Sequence, residues 1–347
     1  MDPVSQGVVG AIAAASVSSE KRRNDLRYAT LAGWLGGLLP DADIFIRSAE
    51  DPLLNIEYHR HFSHSFAFIP IGGLIVAGFL WLFLRKSIGF RRLLVFSTLG
   101  YATAGLLDAC TSYGTQLLWP ISDQRIAWNI ISIIDPIFTL TLVILSVIAL
   151  FRQRAILPRI SVGFALAYLS LCVVQNRRAS AVQADLVASR EHTELVEMAT
   201  VKPSLGNLLL WRSIYRVDGE FHIDAIRVGL GSGKVFEGEQ VEAYDLDELR
   251  RGLDPYSTLA DDLGRFAHFS SGYLGPHPTE PNVVADLRYA MAPHSAHPLW
   301  GIQIDRENPD QHVAFDNFRD QADREGSEFL RMLRGNPPAP ESSEEQR

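Results

Sequence analysis

Two aspartates and three histidines with side chains that can bind metal lie within one short stretch of the sequence. Asp41 and Asp43 come first, and His59, His61 and His64 follow. Carboxylate oxygens and imidazole nitrogens are ligands that zinc, manganese and iron use in proteins. The stretch therefore predicts a divalent-metal site, with zinc as the first expectation and manganese or iron as alternatives. The simpler readings are a solvated turn for the aspartates and interfacial side chains for the histidines.

Two further aspartates are predicted to complete this metal site. Asp108 follows an apolar run, so its carboxylate would stand at a helix C-terminus, where the helix dipole disfavours an anion unless a cation is near. Asp135 stands directly before Pro136, at a predicted helix N-terminus. Two structural alternatives stay open, an ion pair between Asp108 and a basic side chain such as Arg125, and a helix N-cap for Asp135. As ligands, both aspartates would join Asp41, Asp43, His59 and His64.

Six apolar segments must position these side chains, and each is predicted to be a membrane helix. The segments carry no charged residue and span 3–19, 28–40, 66–84, 93–107, 136–151 and 160–176. Basic residues cluster in the connections 21–27, 85–92 and 152–159, which alternation places on one side of the membrane. The positive-inside rule makes that side cytoplasmic, so the aspartates and histidines are predicted to share the opposite face.

From about residue 180 the sequence becomes polar and predicts a small α+β domain. The signal for a hairpin is strongest at Asp218-Gly219, between two apolar runs. Strands are predicted at 207–217, 220–230, 283–291 and 299–304, and helices at 179–200, 244–252, 255–269 and 315–334.

The predicted fold class is a mainly α-helical polytopic membrane domain of about six helices, followed by a small α+β extramembrane domain. The membrane domain covers 1–178, and the second domain covers 179–335 on the non-cytoplasmic side. Residues 336–347, rich in Pro, Glu and Ser, are predicted to be a disordered tail.

Composition excludes several other classes of protein. The net charge of −8 over 347 residues gives no reason to expect nucleic acid as a partner. Cys110 and Cys172 are the two cysteines, and both lie in apolar surroundings. A disulfide framework or a thiolate zinc site is therefore not expected, and buried, inert thiols are.

Several short motifs together resemble those of a known family. They are MDPVSQG at 1–7, LPDAD at 39–43, YHRHFSHS at 58–65, LDACTSYGTQ at 107–116, and the stretch from WPISD at 119–123 to IDP at 134–136. Over roughly residues 1–175 the chain resembles the YdjM-like family of membrane-bound, metal-dependent hydrolases. The resemblance implies an inner-membrane protein that hydrolyses its substrate with a metal ion. Some relatives carry a histidine where Gln6 stands, and His61 replaces a small residue, so His61 ranks below His59 and His64 as a ligand.

The predicted function is hydrolysis of a lipid or another membrane-associated ester or phosphoester. A divalent ion would lower the pKa of a bound water, and a carboxylate of Asp41, Asp43 or Asp108 would act as the general base. Arg125 and Tyr113 are the predicted substrate-binding residues, since arginine suits phosphate. Two other functions stay open, a non-catalytic protein that binds or transports a metal ion or proton, and an interaction scaffold. The expected partners are the lipid bilayer and a lipid or small-molecule substrate.

Overall fold

The structure is a computed structural model that describes residues 1–229, 231–318 and 322–338. The chain divides into two compact units. The first contains Met1–Ile46, Tyr58–Val174 and Leu205–Asn207; the second contains Arg47–Glu57, Gln175–Ser204 and the chain from Leu208 onward. The predicted disordered tail at 336–347 lies outside the described residues from position 339 onward.

Each of the six predicted apolar segments forms a helix. The helices up to residue 189 are α1 (Pro3–Ser16), α2 (Asp25–Leu38), the short α3 (Leu54–Tyr58), α4 (Ile69–Leu84), α5 (Phe90–Ala109), α6 (Pro136–Arg152) and α7 (Ile156–Ser189). Two stretches, Phe66–Leu84 and Ile156–Ser189, are long and apolar enough to cross a membrane, whereas α1 and α6 are apolar but shorter. The prediction of six membrane crossings therefore stays a prediction.

Glycines allow α1, α2 and α5 to pack with their backbones in contact. A Cβ atom built at Gly33 on α2 would lie 2.3 Å from the carbonyl oxygen of Gly10 on α1. A Cβ atom at Gly100 on α5 would lie 2.3 Å from the carbonyl oxygen of Gly33. Such close approach of small residues is typical of helices packed inside membranes. Because all three helices meet at these glycines, the residues at their ends are brought close together.

The outer surfaces of α4 and α6 are apolar. Leu82 and Phe83 on α4 are 67% and 71% exposed, and Ile137 and Leu140 on α6 are 62% and 59% exposed. A soluble monomer rarely shows large contiguous apolar surfaces to water. These faces therefore suit contact with lipid chains.

The second unit contains two antiparallel sheets. The first has the order β1-β2-β3-β4, with β5 also paired to β3, and the second has the order β6-β7-β8-β9. The strands are β1 (Met198–Pro203), β2 (Leu210–Val217), β3 (Glu220–Arg227), β4 (Lys234–Phe236), β5 (Gln240–Glu242), β6 (Leu274–Pro276), β7 (Val283–Asp286), β8 (Trp300–Gln303) and β9 (Ala314–Asn317). The helices are α8 (Leu246–Leu249), α9 (Thr258–Phe269) and α10 (Ala322–Leu333).

The predicted hairpin between β2 and β3 is confirmed. Asp218 and Gly219 both have positive φ angles, 50° and 80°, and Val217 pairs with Glu220 across the turn. Positive φ at both central residues is the backbone that a two-residue hairpin requires. Ile214 from this hairpin is fully buried in a cluster with Ala285 and Leu287, which joins the two sheets in one core.

Three predicted helix boundaries in the second half are wrong. The break expected near Arg177 is absent from the described chain, since α7 continues to Ser189, and the segment predicted as helical to residue 200 turns into β1 at Met198. No glycine or proline stands between Gly163 and Pro203, and arginine is a good helix former, so nothing local ends the helix at Arg177. The predicted helix 315–334 likewise begins with β9, because pairing with β8 overrides local helix propensity.

Candidate metal centre

Three side chains from separate elements converge at the candidate site. Asp41 lies in a 3₁₀ turn, Leu39–Phe45, that continues α2, and His64 ends a second 3₁₀ turn, Phe62–His64. Asp108 lies in the last turn of α5. Each of the three offers one ligand atom, and these atoms lie within 4.8 Å of one another. The glycine-mediated packing of α2 against α5 thus places the two carboxylates beside each other.

His64 points one ring nitrogen at both carboxylates without bonding to either. Its Nε2 atom is 3.0 Å from Oδ2 of Asp108 and 3.3 Å from Oδ1 of Asp41. Neither contact has hydrogen-bond geometry, and this buried nitrogen has no hydrogen-bond partner in the described part of the chain. Since buried polar atoms are nearly always satisfied, this arrangement needs an explanation. A cation between the three atoms would supply one.

The neighbouring carboxylates change the pKa of the His64 imidazole. Burial alone would lower the pKa of its imidazole, but Asp108, Asp41 and Asp43 outweigh burial and raise that pKa to about 10. The carboxylates thus favour positive charge at this point of the site. A metal ion that replaces the imidazole proton meets the same demand, because metal ligands bind in their deprotonated form.

Asp43 holds two histidines instead of facing the convergence point. Its Oδ1 atom is 2.8 Å from Nδ1 of His59, and its Oδ2 atom is 3.1 Å from Nδ1 of His64. The same oxygen accepts hydrogen bonds from the Ser63 hydroxyl at 2.7 Å and the Arg60 backbone N–H at 2.9 Å. Although burial opposes it, hydrogen bonds from the two histidines hold the pKa of Asp43 well below its usual range. Such a carboxylate fixes the orientation of the imidazole behind it.

Gln6 on α1 lies against both carboxylates of the cluster. Its amide nitrogen donates to Oδ2 of Asp108 at 2.8 Å and to Oδ1 of Asp41 at 3.2 Å. Its side chain is fully buried, and its carbonyl oxygen has no hydrogen-bond partner among the described residues. An amide turned over at this position would offer an oxygen ligand in place of a donor. Gln6 therefore places a buried amide beside both carboxylates of the cluster.

Arg60 is the functional candidate that the sequence reasoning missed. It is 2% exposed, and its Nη2 atom is 3.2 Å from Oδ1 of Asp108. Its Nη1 atom donates to the Thr111 hydroxyl at 2.9 Å, and the Met1 ammonium also pairs with Asp108. The signal was present in the sequence, since Arg60 is the one cation inside the histidine-rich stretch.

The alternative of an ion pair between Asp108 and a basic side chain is confirmed, but with Arg60 in place of Arg125. The partner of Asp108 is Arg60, whereas Arg125 donates to the backbone carbonyl of His59 at 3.1 Å. The Tyr113 ring contacts both His59 and Arg60. Its centroid is 5.3 Å from that of the His59 ring and 5.0 Å from the Arg60 guanidinium carbon. Arg125 thus contacts His59, and Tyr113 contacts both His59 and Arg60.

Asp135 and His61 are not among the three converging side chains. The carboxylate of Asp135 caps α6, accepting from the Phe138 N–H at 3.0 Å, and also accepts from the Tyr168 hydroxyl at 2.8 Å. The N-cap alternative for Asp135 is therefore confirmed. The His61 ring packs near Trp119, at 5.9 Å between centroids.

A cavity of about 780 Å³ opens beside the cluster. Asp41, His59 and Arg60 lie in its wall. The remaining lining is mainly apolar and comes from the ends of α1 and α2, the 3₁₀ turn after α2, α4 and the segment before α6: Met1, Asp2, Pro3, Leu35, Leu38, Leu39, Ala42, Ile44, Phe45, Ile75, Val76, Phe79, Ile133 and Ile134. This volume lies in the usual range of small-molecule sites, about 300–1,000 Å³.

A second group of potential ligands, in the other unit, is already neutralised. Asp51, Asp262 and His312 also lie within 4.8 Å of one another. Arg265 donates to Asp51 at 2.9 Å and to Asp262 at 2.9 Å, and His312 lies 2.9 Å from Asp262. An arginine occupies the place that a cation would take, so this group reads as an ion-pair network.

A helical unit with apolar outer faces and a buried carboxylate–imidazole cluster defines a helical membrane protein with a candidate metal centre. The chain belongs to the YdjM inner membrane protein family, whose profile matches residues 1–179. The family expected from the motifs is thus confirmed, and with it an inner-membrane protein.

Curated relatives add little about activity. Over 108 residues the chain is 30% identical to the uncharacterized protein YfhP of Bacillus subtilis (strain 168), an alignment that covers 31% of this chain and 32% of the relative. The match thus spans about a third of that protein's length. No solved structure matches the chain.

Proposed function

We propose that this protein is a membrane-bound, metal-dependent hydrolase that acts on a lipid or another membrane-associated ester or phosphoester. The proposal is carried by the convergence of Asp41 with the buried His64 and Asp108, where a histidine nitrogen faces two carboxylates without a hydrogen bond in the described structure. Proteins bury such groups together mainly to hold a cation or a proton. The adjoining cavity gives a substrate access to this point.

The donor set fits a divalent ion. Two carboxylates and one imidazole are ligands for zinc, and manganese and iron accept the same donors. Asp43 would hold His64 in place through Nδ1, and neither Asp43 nor His59 would ligate directly. Three protein ligands with an open position are typical of catalytic zinc sites, whereas structural sites are closed.

When bound, the ion would supply Lewis-acid chemistry, lowering the pKa of water and polarising an ester or phosphoryl oxygen. The chain's own contribution is proton transfer by His59. If Nδ1 of His59 donates to Oδ1 of Asp43, Nε2 is left as the acceptor nitrogen. His59 lies in the cavity wall, so this nitrogen would take a proton from water and return it to the leaving group.

The experiment measures bound metal and hydrolysis separately. The protein is purified in detergent, its metal content is determined by mass spectrometry, and hydrolysis of generic phosphoesters and lipid esters is assayed. His64→Ala and Asp41→Ala are expected to lose both metal and activity. His59→Ala is expected to keep the metal and lose activity by about 100–10,000-fold, the usual contribution of a general base.

Each outcome decides between functions. Unchanged metal content in both His64→Ala and Asp41→Ala would refute the proposed metal site. Metal that binds as expected, with no hydrolysis in the wild type, would favour a non-catalytic metal-binding or transport protein. If His59→Ala still hydrolyses the substrate, the general base is one of the carboxylates and not His59.

A further inference from the structure

Arg60 is a buried cation whose donors are incompletely used. A guanidinium carries five N–H donors. Nη1 bonds to Thr111 and Nη2 lies against Asp108, but Nε has no hydrogen-bond partner among the residues that the structure describes. A buried charged donor left unsatisfied is costly, so its persistence points to a group that binds there.

The backbone at Arg60 supports the same conclusion. Its φ angle is 61°, in the left-handed region that non-glycine residues seldom adopt. The backbone N–H of Arg60 donates to Asp43, so the turn that holds the two histidines also directs this side chain inward. Strained residues of this kind cluster at functional sites.

The surroundings of Arg60 define what such a group would look like. Arg60 lines the cavity together with Asp41 and His59, so the charged residue and the candidate metal ligand share one wall. Most of the remaining wall is hydrocarbon from residues such as Leu38, Ile75 and Phe79. Ile75 and Phe79 are 50% and 56% exposed on the outer surface of α4, where lipid chains would lie. The cavity therefore combines an apolar surface facing lipid with a cationic donor beside the metal site.

We infer that the cavity binds one hydrocarbon chain of a phosphate-bearing lipid, and that Arg60 binds the phosphoryl group of that lipid beside Asp41, His64 and Asp108. The hydrolysis of such a lipid rests on the function proposed above, whereas its recognition by Arg60 does not. A phosphoryl oxygen is an anionic acceptor that suits a guanidinium, while a neutral carboxylic ester offers only a carbonyl oxygen. Arg60 thus takes the substrate-binding role that the sequence assigned to Arg125.

The test uses binding, so that it stands apart from catalysis. Detergent-purified full-length protein, treated with EDTA, is titrated with hexadecyl phosphate, hexadecanol or methyl phosphate, and bound ligand is counted by native mass spectrometry. Hexadecyl phosphate is expected to bind about 10–100-fold more tightly than hexadecanol, the range of a charge-assisted hydrogen bond. Methyl phosphate, which lacks the chain, is expected to bind far more weakly than hexadecyl phosphate.

Variants separate the head group from the chain. Arg60→Gln is expected to remove the preference for phosphate over alcohol, and Arg60→Lys to retain part of it. Ile75→Trp, which fills the cavity from the lipid side, is expected to weaken both long-chain ligands. Arg154→Gln, at an exposed arginine between α6 and α7, is the matched control and should leave the preference unchanged.

Two results would overturn the inference. One is equal binding of hexadecyl phosphate and hexadecanol to the wild type, which needs no variant to fold. The other is a phosphate preference that persists in Arg60→Gln or disappears in Arg154→Gln. A missing metal or absent hydrolysis, with the Arg60-dependent preference intact, would refute the proposed hydrolase and leave the lipid site standing.

Discussion

Replacing Asp43 by asparagine separates ligands from the groups that orient them. The sequence placed Asp43 among the ligands, but the structure surrounds its carboxylate with His59, Ser63, His64 and a backbone N–H. These contacts orient His59 and His64, whereas the carboxylates that face Nε2 of His64 are those of Asp41 and Asp108. We therefore expect Asp43→Asn to weaken metal binding without abolishing it.

The magnitude follows from which oxygen is retained. Oδ2 of Asp43 serves Ser63, the Arg60 N–H and His64, whereas Oδ1 serves His59 alone. Asparagine would keep its oxygen at the Oδ2 position, which has three partners, and would turn its NH₂ group towards His59. His64 thus keeps an acceptor but loses a charged one. Loss of such a partner weakens metal binding by about 10–100-fold, which is about 1.4–2.7 kcal/mol.

Activity should fall further than metal affinity in this variant. An NH₂ group facing Nδ1 of His59 favours the tautomer that carries its proton on Nε2. That tautomer cannot accept a proton from water at Nε2, so the proposed base is disabled even where the metal remains bound. Hydrolysis measured at saturating metal therefore isolates this effect.

The assay is a competition titration with a metal-binding dye on the detergent-purified protein. Asp135→Asn is the control, because it makes the same chemical change at a fully buried carboxylate that caps α6, where asparagine caps equally well. Its metal affinity should equal that of the wild type. If Asp43→Asn loses metal as completely as His64→Ala, Asp43 is itself a ligand. If its affinity is unchanged, the orienting role is refuted.

Two further predictions concern stability. Gly33→Ala should be less stable than the wild type and Gly163→Ala slightly more stable, because a Cβ atom at Gly33 meets the Gly10 carbonyl while none of the described atoms lies within 4 Å of one at Gly163. Both changes gain the same helix propensity, so the difference between their thermal midpoints in detergent reports the overpacking at Gly33. Overpacking of this kind lowers the free energy of unfolding by about 1–3 kcal/mol. Equal midpoints would contradict the packing account. Burial raises the pKa of Glu325 to about 7 from its ordinary 4.5, so the folded state binds the extra proton and stability should fall as pH rises between these values. Urea unfolding at about pH 5 and pH 8 should show this loss in the wild type and a smaller one in Glu325→Gln; an identical loss in both would assign it to another group.

The local signals in the sequence were sufficient for the elements and for part of the site. Apolar runs and the Asp218-Gly219 turn depend on neighbours in sequence, so the six helices and the hairpin were predicted correctly. The continuation of α7 past Arg177 was missed because a basic pair was taken as the end of a membrane segment. Strand β9 was missed because its pairing with β8 is a tertiary contact that local helix propensity does not reveal.

The roles within the site depended on contacts that spacing does not contain. The sequence brought the aspartates and histidines into one neighbourhood, but it treated each as an equivalent donor. Only the direction of each side chain separates Asp41 and Asp108, which face Nε2 of His64, from Asp43, which faces Nδ1 of His64. Arg60 was passed over because a lone arginine among histidines reads as a surface charge until its burial is known.

The two groups of potential ligands in this chain show why burial of acidic residues is by itself a poor guide to metal sites. At Asp262 the negative charge is met by Arg265, which also binds Asp51 and Glu57, and Nδ1 of His312 is hydrogen-bonded to Oδ2 of Asp262 at 2.9 Å. At Asp108 the arginine is present too, but among the described residues Nε2 of His64 faces two carboxylates without a hydrogen bond, and Nε of Arg60 has no hydrogen-bond partner. In the Asp262 group the charges are paired with one another. The Asp108 group would still accept a cation at His64 and an anion at Arg60. A metal ion and a phosphoryl oxygen that binds it would fill both places at once, since each compensates the charge of the other.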